Sequence, residues 1–194
     1  MELVGILRVV HILNAILMAW PAYALVAVSQ RRRLGSPLGD RADVYFENMI
    51  KSRVVPCYVF QLTALVSGIW LLAATGVGLG ALVTNWLIGA KFVLLLLIIV
   101  LLSVVNFRIQ PRIDVLFAKA RDGTVPEPEA GQIRALRAMR SRVASICMFS
   151  VLTIAMLGVQ AFAPFPLWLT AVFVLLIAAF TWRTYSSVTP YGWV

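Results

Sequence analysis

Charge is scarce in this sequence, and the little there is avoids the longest stretches. Of 194 residues, 13% are charged and 61% are hydrophobic. A soluble domain carries roughly a quarter charged residues and about half apolar ones. A water-soluble fold of this size could not hide so much apolar surface, so the bilayer is the expected solvent. One membrane domain over 1–194 is expected, with no room for a second folded unit. The cysteines number two, Cys57 and Cys147, with no CxxC spacing. That excludes a disulfide framework and leaves reduced, buried thiols as the expectation. Histidine occurs once, at His11, too few to expect a zinc site. Apart from Glu2, which precedes the first run, no acidic residue falls within an apolar run. A proton- or sodium-coupled transporter usually needs one. The HExxH, P-loop and GxSxG signatures are missing too.

What is present is a series of five apolar runs, at about 3–28, 54–75, 82–107, 143–163 and 164–182. Each is long enough to cross ~30 Å of hydrocarbon as a helix rising ~1.5 Å per residue. Helices are required because unpaired backbone groups are too costly in lipid. The fold class expected is therefore an all-α integral membrane protein, a bundle of five transmembrane helices. The N-terminus begins with Glu2 and carries Arg8 inside the apolar run, unlike a cleavable signal peptide, so it reads as a retained first helix.

The connections alternate in charge. Segment 29–53 carries Arg31, Arg32, Arg33, Arg41, Lys51 and Arg53, and segment 107–142 carries eight further basic residues, from Arg108 to Arg142. The other two connections, 76–80 and 161–166, carry none. The positive-inside rule then puts the N-terminus outside and the C-terminus in the cytoplasm of a plasma (inner) membrane protein. The net charge of +9 is thus a topology signal and a contact for anionic headgroups, and nucleic acid is not an expected partner.

The cytoplasmic loops 29–53 and 107–142 have structure of their own. Asp40 can cap a helix running into the second span, with Glu47 and Lys51 as an i,i+4 pair and Pro56 kinking the helix. Ile109, Ile113, Leu116 and Phe117 share one helical face among basic residues, which predicts an amphipathic helix lying on the lipid. The turn-rich stretch 122–129 ends it, and a basic helix from about Ala130 leads into the fourth span. These loops could dock other membrane or cytoplasmic subunits; lying on the lipid surface is the favoured reading.

Ionisable groups inside spans are functional candidates by default. Arg8 and His11 lie in the first run and Lys91 in the third. His11 and Lys91 both fall roughly 12 to 14 Å below the outer boundary of the core, with Arg8 one turn shallower. Arg8, His11, Asn14 and Met18 form one stripe of the first helix. Met156 and Gln160 share a face of the fourth span, Ser67 lies in the outer half of the second, and Trp86 near the outer end of the third. Together they could form an outward-opening polar pocket. Each has a plainer reading beside it. Arg8 and Lys91 can snorkel to the headgroups, His11 can bond to a neighbouring helix, and Met18 and Met156 can simply pack. Trp20, Tyr58, Trp86, Trp168 and Trp182 read as the interfacial belt. Cys57, Cys147 and Met148 could offer soft ligands to Cu(I), although buried inert thiols are the stronger reading.

Two stretches carry a resemblance. Leu7-Arg-Val-Val-His-Ile-Leu-Asn-Ala15 resembles the opening helix of a superfamily of small membrane proteins that includes the copper-resistance D-type proteins and the HemJ-type protoporphyrinogen oxidases. Asn85-Trp-Leu-Ile-Gly-Ala-Lys-Phe-Val-Leu-Leu95 resembles their Trp-Leu-x-x-x-Lys stretch. The likeness covers roughly the first four spans and implies a four-helix core with an appended fifth helix. It also implies haem b as cofactor, with His11 matching the haem-binding histidine and Lys91 the required lysine. Imidazole is a natural axial ligand, and Lys91 or Arg8 would suit a propionate. The chain has no second histidine, so the iron would be five-coordinate, His/Met ligated through Met156, or shared between subunits. The later conserved residues of the HemJ pattern are not found here.

Three functions remain in view. The first is a haem-binding or other redox-active or anionic-ligand protein, with electron transport or porphyrin handling as its role. The second is a non-catalytic structural or assembly subunit of a larger membrane complex. The third is a copper-handling permease.

Overall fold

The computed structural model describes residues 2–31, 38–119 and 125–186. Arg32, Arg33, Arg121 and the start of the turn at Asp122 lie outside them. Every regular element among the described residues is helical: α1 (Glu2–Arg31), α2 (Arg41–Ala74), α3 (Ala81–Thr84), α4 (Trp86–Val104), a π-helical turn (Val105–Ile109), α5 (Gln110–Phe117), α6 (Glu127–Phe162) and α7 (Leu167–Ser186). Five helices are long and apolar enough to cross a membrane, one for each apolar run.

The bundle is a ring of four. α1 packs on α2, α2 on α4, α4 on α6 and α6 back on α1, while α7 lies outside against α6 and α1. Each of the four contributes to one apolar cluster: Met18, Ala64, Leu95, Ile98 and Val151. Ala22, Val26, Ala144, Met148 and Tyr185 form a second, joining α7 to the ring. Alanines at the crossings let backbones approach closely, which matters where lipid offers no hydrophobic drive between helices. Polar links add to the packing. The Tyr58 hydroxyl meets Ser103 Oγ at 2.9 Å and the Tyr185 hydroxyl donates to Ala22 O at 3.0 Å. Tyr58, expected in the interfacial belt, is thus a link between helices.

α2 begins where the sequence places it. Asp40 is extended at φ −67°, ψ 168°, and its side chain accepts from Asp43 N–H at 2.7 Å. The helix continues through Pro56 for 34 residues, about 51 Å at ~1.5 Å per residue. It therefore carries the second apolar run and the charged stretch before it as one helix.

The third run is not one helix. Gly76 and Gly78 take φ of +72° and +75°, a region that glycine enters without strain. α3 then folds back before Asn85, which is extended and caps α4 by accepting from Leu87 N–H at 3.1 Å and Ile88 N–H at 3.4 Å. The 82–107 run thus breaks at residue 85. A hydrophobicity reading passes over that break, because one Asn scarcely lowers the run's average. α3 sits so near α4 that a Cβ on Gly89 would lie 2.7 Å from Leu82 O. Gly89→Ala should therefore cost about 1–3 kcal/mol, read as a lower melting temperature in detergent. An unchanged melt would show that α3 does not rest on α4.

Beyond α4 the π turn rotates the next helix about the common axis, since one extra residue corresponds to about 100°. The apolar face of α5 consequently meets protein. Ile109, Ile113 and Leu116 are buried, Ile113 completely. The expectation that this helix lies on lipid is corrected. The periodicity is real, but an amphipathic pattern does not say which apolar surface covers it.

Candidate functional site

Of the candidate residues in the spans, the structure joins His11 to Ser67. α1 and α2 cross so that His11 Nδ1 lies 2.8 Å from Ser67 Oγ. Gly68, next along α2, makes room: a Cβ there would meet His11 Cε1 at 3.4 Å. One turn deeper, Asn14 Nδ2 donates to Phe60 O at 2.7 Å. His11 is half-buried, while Ser67, Asn14 and Met18 are buried.

Ser67 Oγ also sits 2.6 Å from Thr63 O, with a longer 3.3 Å contact to Ala64 O. A serine has one hydrogen. Where the helix carbonyl takes it, Ser67 Oγ accepts from His11 Nδ1–H and Nε2 carries the lone pair. Nε2 has no hydrogen-bond partner among the described residues. Metal-ligating histidines share this design, the far nitrogen being fixed by a second group.

Lys91 enters from α4. Its ammonium lies within electrostatic range of His11, and it is half-buried. No hydrogen bond or ion pair reaches it from the described residues. Arg8 is exposed one turn further out on α1, and Met156 is half-buried on α6. A large cleft lies elsewhere. Open on one side, it holds about 520 Å³ between the start of α4 and the α6–α7 turn, with Trp86, Gln160 and Phe165 among its walls, and His11, Lys91, Arg8 and Met156 do not line it. The pocket expected from all these groups is therefore divided. Trp86 and Gln160 face a cavity, and His11, Ser67 and Lys91 form a separate polar group.

Haem b can be tested against this arrangement. The donors fit one axial bond, from His11 Nε2, and one propionate contact, from Lys91. Enclosure within a single chain does not fit, since pockets for molecules of such size hold roughly 300–1,000 Å³ and the cavity of that size lies apart from His11. Copper has less to use. Among the described residues no group of three or more His, Cys, Asp or Glu could hold a metal ion. Cys147 packs beside one apolar cluster, while Met148 is sealed into the other.

The densest polar group was not anticipated from the sequence, and it lies at the end bearing the basic loops. Glu47 on α2 accepts from Arg137 Nε at 2.9 Å, from Arg140 at 2.7 and 2.9 Å, and from Gln110 Nε2 at 3.1 Å. Arg137 also donates to Asp43 at 3.1 Å. Arg140 also donates to Gln110 Oε1 at 2.7 Å, and the Phe117 ring lies 5.0 Å from the Arg137 guanidinium. All five polar side chains are buried. Burial alone raises the Glu47 carboxyl. The hydrogen bond and charge of Arg140, with Arg137 and Gln110, outweigh that and hold it at about 2. Two expectations are corrected here. Glu47 does not pair with Lys51, which instead meets Asp114 at 2.9 Å. Arg137 and Arg140 meet carboxylates rather than lipid phosphates. The signal available in the sequence was Asp43 and Glu47 at i,i+4 and Arg137 and Arg140 at i,i+3, two opposite faces of charge. No protein-family model, curated protein or solved structure matches the chain.

Proposed function

We infer that this chain is a multi-pass protein of the plasma (inner) membrane, with its N-terminus outside, that binds an anionic or redox-active ligand at His11. The observation that carries the reading is the His11–Ser67 bond, which holds Nδ1 of a half-buried ring and leaves Nε2 to a ligand. Lys91 supplies an uncompensated cation beside it, and an anionic group on the ligand would satisfy it. Haem b suits these donors, and bound there it would supply one-electron chemistry. Such a ligand lies along the flank of the bundle and is closed over by lipid or by a second chain. Arg8 reaches its outer edge, and Met156 is the sulfur at the same level.

A reduced-minus-oxidised visible spectrum of the detergent-purified protein tests this. A b-type band is expected; a colourless preparation turns attention to the second reading below. Lys91→Met should weaken ligand retention about tenfold, the equivalent of ~1.4 kcal/mol. If Lys91 only snorkels, that variant will instead be as stable as the parent or more so.

The second reading is a structural or assembly subunit. It is favoured by the buried ion cluster, which ties α2, α5 and α6 together at the end of the bundle bearing the basic loops. Tyr45 and Val115 stand out from that end, 65% and 64% exposed. Stable co-purification of other polypeptides would support it.

A further inference from the structure

The cavity between α4 and the α6–α7 turn has walls that are almost wholly apolar, among them Leu87, Ile88, Phe165 and Leu167, and no charged side chain lines it. Two polar side chains do. The Asn85 oxygen is committed to capping α4. Gln160 is not so committed. It is 5% exposed, and its Oε1 has no hydrogen-bond partner. Buried acceptors without partners are rare, and each calls for an explanation. The Gln160 amide is held only by a 3.4 Å bond from Nε2 to Phe165 O, long for a hydrogen bond. Gln160 lines the cavity, and breaking this long bond would cost little.

The cavity opens beside the two uncharged connections, 76–80 and 161–166, where Trp86 and Trp168 are exposed. Aromatic side chains of this kind sit at headgroup level. Its volume suits a drug-sized molecule or a lipid head with the first part of its chain. A charged ligand would find no counter-ion here. An oxygen acceptor in an apolar slot selects a molecule with one donor and an apolar body.

We propose that this cavity binds a neutral amphiphile that donates a hydroxyl to Gln160 Oε1. The site shares no lining residue with the His11 group, so the two stand or fall separately.

The test uses the full chain in detergent and a monoacylglycerol with a photoreactive diazirine in its acyl chain. After irradiation, label should map to residues 86–88 and 161–167. The doubly O-methylated probe, which has no hydroxyl, should label these about tenfold less, the ratio expected for one lost hydrogen bond. Gln160→Leu should bring the parent probe down to the methyl ether's level. Ala161→Phe, from an exposed wall position, should do the same by filling the slot while leaving the Gln160 amide in place. Competition by unlabelled monoacylglycerol but not by butane-1,2-diol identifies a membrane lipid. Equal competition by the diol identifies a soluble hydroxyl compound. Equal labelling by the two probes, or labelling unchanged in Ala161→Phe, overturns the site.

Discussion

Glu47→Gln should be among the most damaging single changes in the protein, lowering stability by about 3–5 kcal/mol. Removing one partner from a buried ion pair leaves the other charge desolvated and unmatched. Here the loss leaves both Arg137 and Arg140 short, with 6% and 3% of their surfaces exposed. Thermal unfolding in detergent measures it. The comparison is Lys51→Met. The Lys51–Asp114 pair is 44% and 39% exposed, and pairs of that kind contribute ~0–1 kcal/mol. If Glu47→Gln melts within a degree of the parent, the cluster is not what joins α2, α5 and α6.

The same residue predicts a pH dependence. The Glu47 carboxyl is held at about 2 in the fold, against an ordinary 4.5. A group lowered in this way stabilises the folded state fully above pH 4.5. The contribution, about 3 kcal/mol, is lost as pH falls from there toward 2. In Glu47→Gln this part of the acid transition should vanish.

His11→Ala should abolish any b-type absorbance while leaving the fold nearly intact. Interhelical hydrogen bonds in membranes are worth on average ~0.6 kcal/mol, and Ser67 keeps its bond to Thr63 O. A band that survives in His11→Ala would sink the ligand assignment. Ser67→Ala separates holding from orienting. Loss of such an outer partner typically costs 10–100-fold in metal affinity, so the band should persist but the ligand should wash out sooner.

The five spans are legible because a run of about twenty apolar residues is a nearly complete statement of what a membrane helix needs. The Asp40 cap is legible because capping is local, involving residues three apart. Other features depend on partners far away in sequence. The His11–Ser67 contact spans 56 residues and the Glu47–Arg137 contact 90, and no periodicity reports which helix faces which. His11 and Lys91 stand out as ionisable groups at one depth, and the structure brings them within electrostatic range of each other. Met156 lies in the outer half of α6, but neither it nor Arg8 lines the cavity that holds Trp86 and Gln160. α5 shows a second limit. Its stripe is plain in the sequence and its cover is not, because Ile113 meeting protein and Ile113 meeting lipid look alike in one dimension.

The ion cluster also has a history in time. Asp43 and Glu47 are synthesised about 90 residues before the arginines that neutralise them. A ribosome adds ~5–20 residues per second, so the interval is roughly 5 to 20 s. Throughout it, the α1–α2 hairpin carries two bare carboxylates. Inside hydrocarbon such a delay would be prohibitive. In water beside the membrane an unpaired carboxylate is at no disadvantage. These acids lie just outside the second apolar run, so the run itself carries none. The arrival of α6 brings both arginines to them, and with that contact α2, α5 and α6 are joined.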